Sequence, residues 1–427
     1  YNLMRRYKLI SHHDDAEIST IIINKIASKL GLMAPHGRMV ILRINGAELG
    51  AYMLVEAHNK EWFEREHQLT NYTILKSNDD WDRKNKHVIA HASDTDLYIE
   101  NKKINTISQS SPVALGSLEL LLNSIRSDDI GQIKRMIDID YMAKYMALLT
   151  ITNSNHPISG DNLRYIYNHA TGRFKMLFRL EGQILKNTKS ISDFNRSLFI
   201  SPYKDLETLK LFKLLLTDGD FLTKRDEELY KIIKNKKEWE SMSNTIFSEN
   251  MKVLIESNEP IRPIKFKTQQ FKKIFENNIK KAEQYLDYNK IFITKYIGID
   301  GKQSLHIIND FTHPIMMKNN PIISNSYKNT NTFIEPSQID INQKLIYREQ
   351  EIVTNITNIS QPTFENMITH KPILPRNIYF NDAIEQSVFS LNESLQTLKD
   401  NYIDYQVNLK NKVITLTPGR YKTHSNI

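Results

Sequence analysis

The sequence predicts an α+β protein in which a large mixed domain is followed by a smaller β-rich one. Three observations carry this. Apolar residues recur at helical spacing, most cleanly at Phe271, Ile274, Phe275, Ile279, Ala282 and Leu286. Period-2 runs flank turn residues at Asn45-Gly46 and across residues 168–172. After Tyr288 the chain changes to short β-rich runs punctuated by Gly and Pro.

Bulk composition narrows the function classes. The 427 residues suffice for two or three domains with at least one large core. With 40% hydrophobic and 25% charged residues, the chain belongs with soluble globular proteins and not with disordered ones. Its longest nearly apolar runs, 39–44 and 145–151, fall well short of the ~20 residues that span a bilayer, so no transmembrane segment is expected. Cysteine is absent, which excludes disulfides, thiolate zinc sites and a cysteine nucleophile. The formal charge of +8 raises nucleic acid as a partner. The lysines of 231–237 and 265–281, however, lie among Asn and Glu with no nucleic-acid motif nearby, so a solvated surface is the reading and no nucleic-acid partner is expected. The chain opens on Tyr1 and enters structured-looking sequence at once, so the true N-terminus is expected upstream and the lack of a visible signal peptide has no weight. Compartment and oligomeric state stay open.

Taken in order, residues 1–7 read as the tail of a strand or loop. His12-His13-Asp14-Asp15 precede a helical stripe at Ile18, Ile21, Ile22, Ile26 and Leu30; Asp14 or Asp15 is the expected N-cap, and Gly31 the stop. Metal binding by the two His and two Asp is the rival reading of that tetrapeptide. Residues 38–45 form a β-branched strand, Asn45-Gly46 a type I′ turn, and residues 50–56 the return strand. Glu56 closes this apolar strand, and a lone acid there invites a cation. Lys76, on the strand 72–76, is one candidate. Residues 78–103 are polar and loop-rich. Residues 115–125 and 137–150 read as helices, the second buried because Tyr141, Met142, Tyr145, Met146 and Leu149 cover most of its girth. Residues 206–286 are helical throughout. Three expected domain spans follow: 1–288, a small β-rich domain at 289–375, and the start of a further β-rich region at 376–427.

The stretch 153–182 holds the candidate chemistry. A loop with His156, Asp161 and Asn162 leads into a strand at 163–167, a turn at 168–172, and a second strand at 173–180 where Phe174, Met176, Phe178 and Leu180 alternate with basic residues. If Asn168 pairs with Arg173, Asn162 falls opposite Arg179 and Gly160 opposite Glu181. Oxygen ligands from Asp161, Asn162 and Glu181 would then gather at the open end of a hairpin, an arrangement able to hold magnesium over ATP. A polar hairpin end with solvated side chains reads the same way from these residues alone.

Five motifs in order resemble the CotH kinase family of spore coat protein H–like atypical kinases. They are Gly31-Leu32-Met33-Ala34-Pro35; the hairpin from Ile44 to Glu56, with Asn45, Gly46, Gly50, Tyr52 and Glu56 in place; Ile74-Leu75-Lys76; Ile137-Asp138-Ile139-Asp140 with its following helix; and the loop and hairpin from His156 through Phe174. The resemblance implies a protein-kinase-like fold using ATP and magnesium or manganese, a protein substrate and a bacterial source, in which a secreted or cell-envelope location fits. It implies that Lys76 contacts phosphate and that Glu56 helps hold the N-terminal lobe together. Asp161, or else His156, orients the acceptor, and Asn162 and Glu181 bind the metal. The chain departs from the family at Phe178-Arg179-Leu180-Glu181, where an Asp-Leu-Asp or similar acid is common. Family members also begin earlier, with strands that build the nucleotide-covering side, so the domain is expected to be N-terminally incomplete. Residues 409–421 resemble the opening coil of a β-helix that follows such domains. Two functions from different classes result: an atypical protein kinase transferring the ATP γ-phosphoryl group, and a catalytically impaired pseudokinase acting as a surface or structural scaffold.

Overall fold

The computed structural model describes residues 7–11, 17–76, 112–154, 157, 163–179, 207–259 and 261–287, and beyond them the runs 291–297, 303–309, 313–318, 332–334, 336, 338–339, 345–346, 349–354, 363–373, 376–379, 406–408 and 413–415. Helices combine with small, mostly antiparallel sheets, so the protein is α+β. The chain divides into two compact units, Tyr1–Leu215 with Glu227–Tyr285, and Leu216–Asp226 with Leu286–Ile427.

The first unit opens on a three-stranded sheet in the order β1 (Tyr7–Ser11), β3 (Ala47–Glu56), β2 (Gly37–Ile44). Asn45 at φ 52° and Gly46 at φ 82° make the β2–β3 turn, as the Asn-Gly pair predicts. Strand β1 begins where the expected strand tail ends, and pairs Tyr7 with Glu56 and Lys8 with Val55. Helix α1 (Glu17–Lys29) is buried along the whole of residues 17–24, more than the one stripe read from sequence. It ends in a Schellman arrangement: Gly31 at φ 82° donates its N–H to Ser28, and the Leu32 N–H reaches Ala27. The expected caps Asp14 and Asp15, with His12 and His13, lie outside the described residues.

Helix α2 (Lys60–His67) follows β3 and leads to β4 (Tyr72–Lys76). Helices α3 (Pro112–Arg126) and α4 (Ile130–Met136) precede α5 (Ile139–Thr152). The short α4 was not expected; Asp129 caps it by accepting from the Gln132 N–H at 2.8 Å. Asp138 caps α5 in the same way, through the Tyr141 N–H at 3.1 Å. Helix α5 is buried from Tyr141 to Thr152 apart from Lys144, which is half-buried.

The second sheet orders β4, β5 (Arg164–Asn168) and β6 (Arg173–Met176). The hairpin register is the expected one, Asn168 opposite Arg173 and Tyr165 opposite Met176. The second strand stops at Met176, however, and not at Leu180. The Leu177 N–H still reaches the Arg164 carbonyl of β5 at 3.1 Å, while the outward-facing backbone groups of this strand and its exit are bound by neighbours. Phe178 donates its N–H to the Met33 carbonyl at 2.8 Å, Asp138 donates to the Phe174 carbonyl at 2.9 Å, and the Tyr141 hydroxyl donates to the Met176 carbonyl at 2.6 Å. An otherwise open sheet edge is thereby covered.

The expected helical region resolves into α6 (Glu207–Thr217), α7 (Gly219–Lys234), α8 (Lys236–Glu256) and α9 (Ile261–Asp287). All six residues of the predicted α9 face are buried. Two side chains tie this region to the first sheet. Asn250 of α8 accepts the Met39 N–H at 2.7 Å, and Glu259 accepts the Ala51 N–H at 3.3 Å. Gly50, at φ 96°, leaves 3.0 Å between a Cβ position and the Glu259 carboxylate, so the glycine makes room for that contact. Asn278 of α9 donates to the Ile151 carbonyl near the end of α5 at 2.7 Å.

In the second unit, β7 (Ile291–Ile297), β8 (Gln303–Asn309), β13 (Glu349–Thr354) and β16 (Arg376–Tyr379) form one sheet, in which β16 runs parallel to β7. β9 (Ile315–Lys318), β10 (Thr332–Ile334), β14 (Thr363–Asn366) and β15 (Pro372–Ile373) form another. β11 (Gln338–Ile339) pairs with β12 (Leu345–Ile346), and β17 (Gln406–Asn408) pairs antiparallel with β18 (Val413–Thr415). Arg225, Asp226 and His313 are buried together, with His313 Nδ1 2.8 Å from the Asp226 carboxylate. Among the described residues no helix is long and apolar enough to cross a membrane, and no group of three or more His, Asp or Glu could hold a metal ion.

Candidate functional site

The residues that leave β3 build one wall of the site. Glu56 is the last residue of that strand and its side chain is 2% exposed. The cation it meets is Arg65, from the last turn of α2, which a reading centred on Lys76 did not weigh. The same guanidinium donates from Nε to Glu66 at 2.8 Å, so one arginine bridges two acids. Asn59 caps α2 by accepting the Trp62 N–H at 2.9 Å. Trp62 is fully buried, with the His58 ring 4.8 Å away and the His67 ring 4.6 Å away, both edge-on. Phe63 meets Tyr72 of β4 at 4.6 Å, which links this wall to the second sheet.

Four buried polar atoms in this segment have no hydrogen-bond partner: Glu56 Oε2, His58 Nε2, Trp62 Nε1 and His67 Nε2. Orphaned groups of this kind are rare in folded proteins, and these four fall within residues 56–67.

The open end of the β5–β6 hairpin builds the other wall. Lys76 stands opposite Arg164 in the β4–β5 register, and the Arg164 carbonyl accepts the Leu177 N–H at 3.1 Å. Arg164 is buried, while Arg179, two residues past Leu177, is half-buried. Burial holds the His58 imidazole far below the usual histidine range, and the charges of Arg164, Arg179 and Lys8 push it the same way. Those three cations therefore act on one imidazole, although they come from β1, β5 and the segment after β6.

The loop expected to carry the chemistry is held at both ends. Asn153, in the left-handed region at φ 48°, ends α5, and Leu163 is buried just before β5. The Tyr145 hydroxyl lies 3.4 Å from the Pro157 carbonyl and 3.3 Å from that of Leu177, so it spans the loop and the strand exit. His156, Asp161, Asn162 and Glu181 themselves lie outside the described residues, and so does the Lys76 side chain. Arg65, His58, Trp62 and Arg164 were missed from sequence. The Asn59 cap and the Trp62-Phe63 pair at the start of a short helix were the available signals.

The histidines make stability depend on pH. Burial lowers His67 to about 4, and His36 is lowered too, again mainly by burial. The unfolded chain, with histidines near 6.5, takes up protons in a range where the folded chain does not. Stability is thus full above about pH 6.5 and falls as the pH drops towards 4. Thermal melts across this range should show a falling midpoint, with a shallower fall in His67→Gln; a wild-type midpoint that does not move would contradict this.

A family model described as CotH kinase protein matches residues 5–293, more than half of the 427 residues. The chain belongs to the CotH kinase family, a kinase-like family that implies ATP and a divalent metal in general terms. No curated protein matches the chain.

Proposed function

We propose that this member of the CotH kinase family folds its N-terminal part, residues 1–288, as an atypical protein-kinase-like domain that transfers the γ-phosphoryl group of ATP to a protein hydroxyl. The β-rich spans 289–375 and 376–427 would follow it. The observation that carries this reading is the CotH family match over residues 5–293, with Lys76 opposite Arg164 in the strand register. Phosphoryl transfer relies mostly on positioning and charge neutralisation.

In this reading Lys76 contacts the phosphates. Asp161 orients the acceptor hydroxyl, with His156 the alternative, and Asn162 and Glu181 hold magnesium or manganese. The ion, when bound, neutralises charge on the transferred group. Glu56, clamped by Arg65, fixes the end of β3 against α2. Full-length protein incubated with radiolabelled ATP, magnesium and candidate protein acceptors should incorporate phosphate. Asp161→Asn should lower incorporation by roughly 10²–10⁴-fold, the usual worth of a positioned acid or base. A chain that neither gains thermal stability from ATP nor incorporates phosphate would sink the reading.

The pseudokinase scaffold stands as the second reading because Arg179 occupies a position where the family prefers an acid, and its charge opposes a divalent cation nearby. It predicts partner capture that survives Lys76→Ala and Asp161→Ala together.

A further inference from the structure

We propose that the outward face of helix α9 docks the protein side-on to an anionic lipid surface, with Phe266 entering the headgroup region and Arg262, Lys265, Lys273 and Lys280 meeting the headgroup charges. The proposal goes beyond phosphoryl transfer and does not depend on it.

The sequence supplies the charge. Across residues 261–282 seven basic residues stand against one acid, Glu276. The helix then sorts them. At ~3.6 residues per turn, Arg262, Phe266, Lys273 and Lys280 fall within one narrow stripe, roughly 27 Å long at about 1.5 Å per residue, and Lys265 lies on its flank. All five are exposed, while Ile264, Phe271, Phe275 and Ala282 are buried on the opposite side of the helix.

Two observations separate this stripe from an ordinary solvated face. The first is that its cations are uncommitted. Among the described residues, none of Arg262, Lys265, Lys273 and Lys280 is held in an ion pair or hydrogen bond, and Glu276 bridges none of them. Lysines nearby differ. Lys231 pairs with Glu228 at 2.7 Å and Lys236 with Glu283 at 2.9 Å. Lys272, on an inner flank of α9, donates to Asn244 and lies 4.9 Å from the Phe247 ring.

The second is Phe266, 66% exposed and so more exposed than any other large apolar residue among the described ones. A lone apolar side chain on a surface is ordinary. Here it stands one turn from Arg262 on the same face, where a purely charged partner would leave its ring in water. A bilayer interface accepts both kinds of group. The boundary between headgroups and acyl chains takes up the aromatic ring, and anionic headgroups attract Lys and Arg whose stems lie along apolar surface. Gln269 and Gln270, between the charges, add no repulsion.

The test mixes the full chain with vesicles of phosphatidylcholine alone, or with phosphatidylserine as roughly one-third of the lipid, and measures the bound fraction by sedimentation. Binding should require phosphatidylserine and weaken as salt is raised. Lys273→Glu with Lys280→Glu should lower the affinity at least tenfold, since each lysine near such a surface is worth about fivefold. Phe266→Ala should lower it several-fold. These positions are exposed, and melting curves check that the variants fold. A control pair, Lys234→Glu with Lys237→Glu on α7 and α8, makes the same change in net charge and should leave binding within about twofold. If the control pair weakens binding as much as the α9 pair, net charge alone is responsible and the docking face is wrong. If Phe266→Ala binds vesicles as tightly as the unchanged protein, the stripe is a site for soluble polyanions and the lipid proposal falls. Binding to neither vesicle overturns it outright.

Discussion

Replacing Arg65 by alanine is expected to cost about 3 kcal/mol of stability, near the low end of the range for breaking a buried ion pair. The size follows from what stays behind. Glu56 has a side chain 2% exposed, and one of its oxygens already has no hydrogen-bond partner. Without Arg65 the whole carboxylate is buried and uncompensated. Arg65 itself is 24% exposed, so solvent partly screens the native pair, which keeps the loss from the upper end. Adding Glu56→Gln to Arg65→Ala should recover a good part of the loss, since a neutral amide is easier to bury than a charge. Urea denaturation of the two single variants and the double variant measures this. A single-variant loss under about 1 kcal/mol would place the pair among surface bridges of little worth.

Tyr141→Phe should be of similar severity, at about 2–4 kcal/mol, although it removes one oxygen. That hydroxyl accepts the Met33 N–H at 3.0 Å and donates to the Met176 carbonyl at 2.6 Å. Both bonds are buried, and removing one atom orphans a donor and an acceptor together. The consequence reaches the site, since Met176 is where the chain leaves β6 towards Arg179. Hydrogen exchange should therefore quicken at Met33 and Phe178 more than at residues of α9. Uniform exchange changes across the first unit would show that the hydroxyl supports global stability without locating the strand exit.

These two residues show what was legible and what was not. The Asn45-Gly46 turn, the Gly31 stop, the Asn168–Arg173 register and the buried α9 face all follow from local chemistry, and each is present. The failures share a cause. Past the end of strand β6 the outward-facing Phe178 N–H is taken by Met33, more than a hundred residues upstream. No periodicity within the hairpin encodes that. Helix α4 spans seven residues, too few to display a stripe over two turns. Glu56 found its cation on the next helix, a spacing with no characteristic pattern. The family itself was readable, because its motifs are short and ordered.

The contacts of Asn250 and Glu259 with the first sheet also set a schedule. They join residues 211 and 208 positions apart. A ribosome adding roughly 5–20 residues per second needs on the order of 10–40 s to cover that distance. Throughout that interval the β2–β3 hairpin has left the ribosome without its clamp, with strand edges open to pairing with other nascent chains. Slowing translation within α8 should therefore raise aggregation of newly made protein more than slowing it after Asp287. Met39 and Ala51 are thus made long before the residues that secure them, whereas Glu56 meets its clamp, Arg65, only nine residues later.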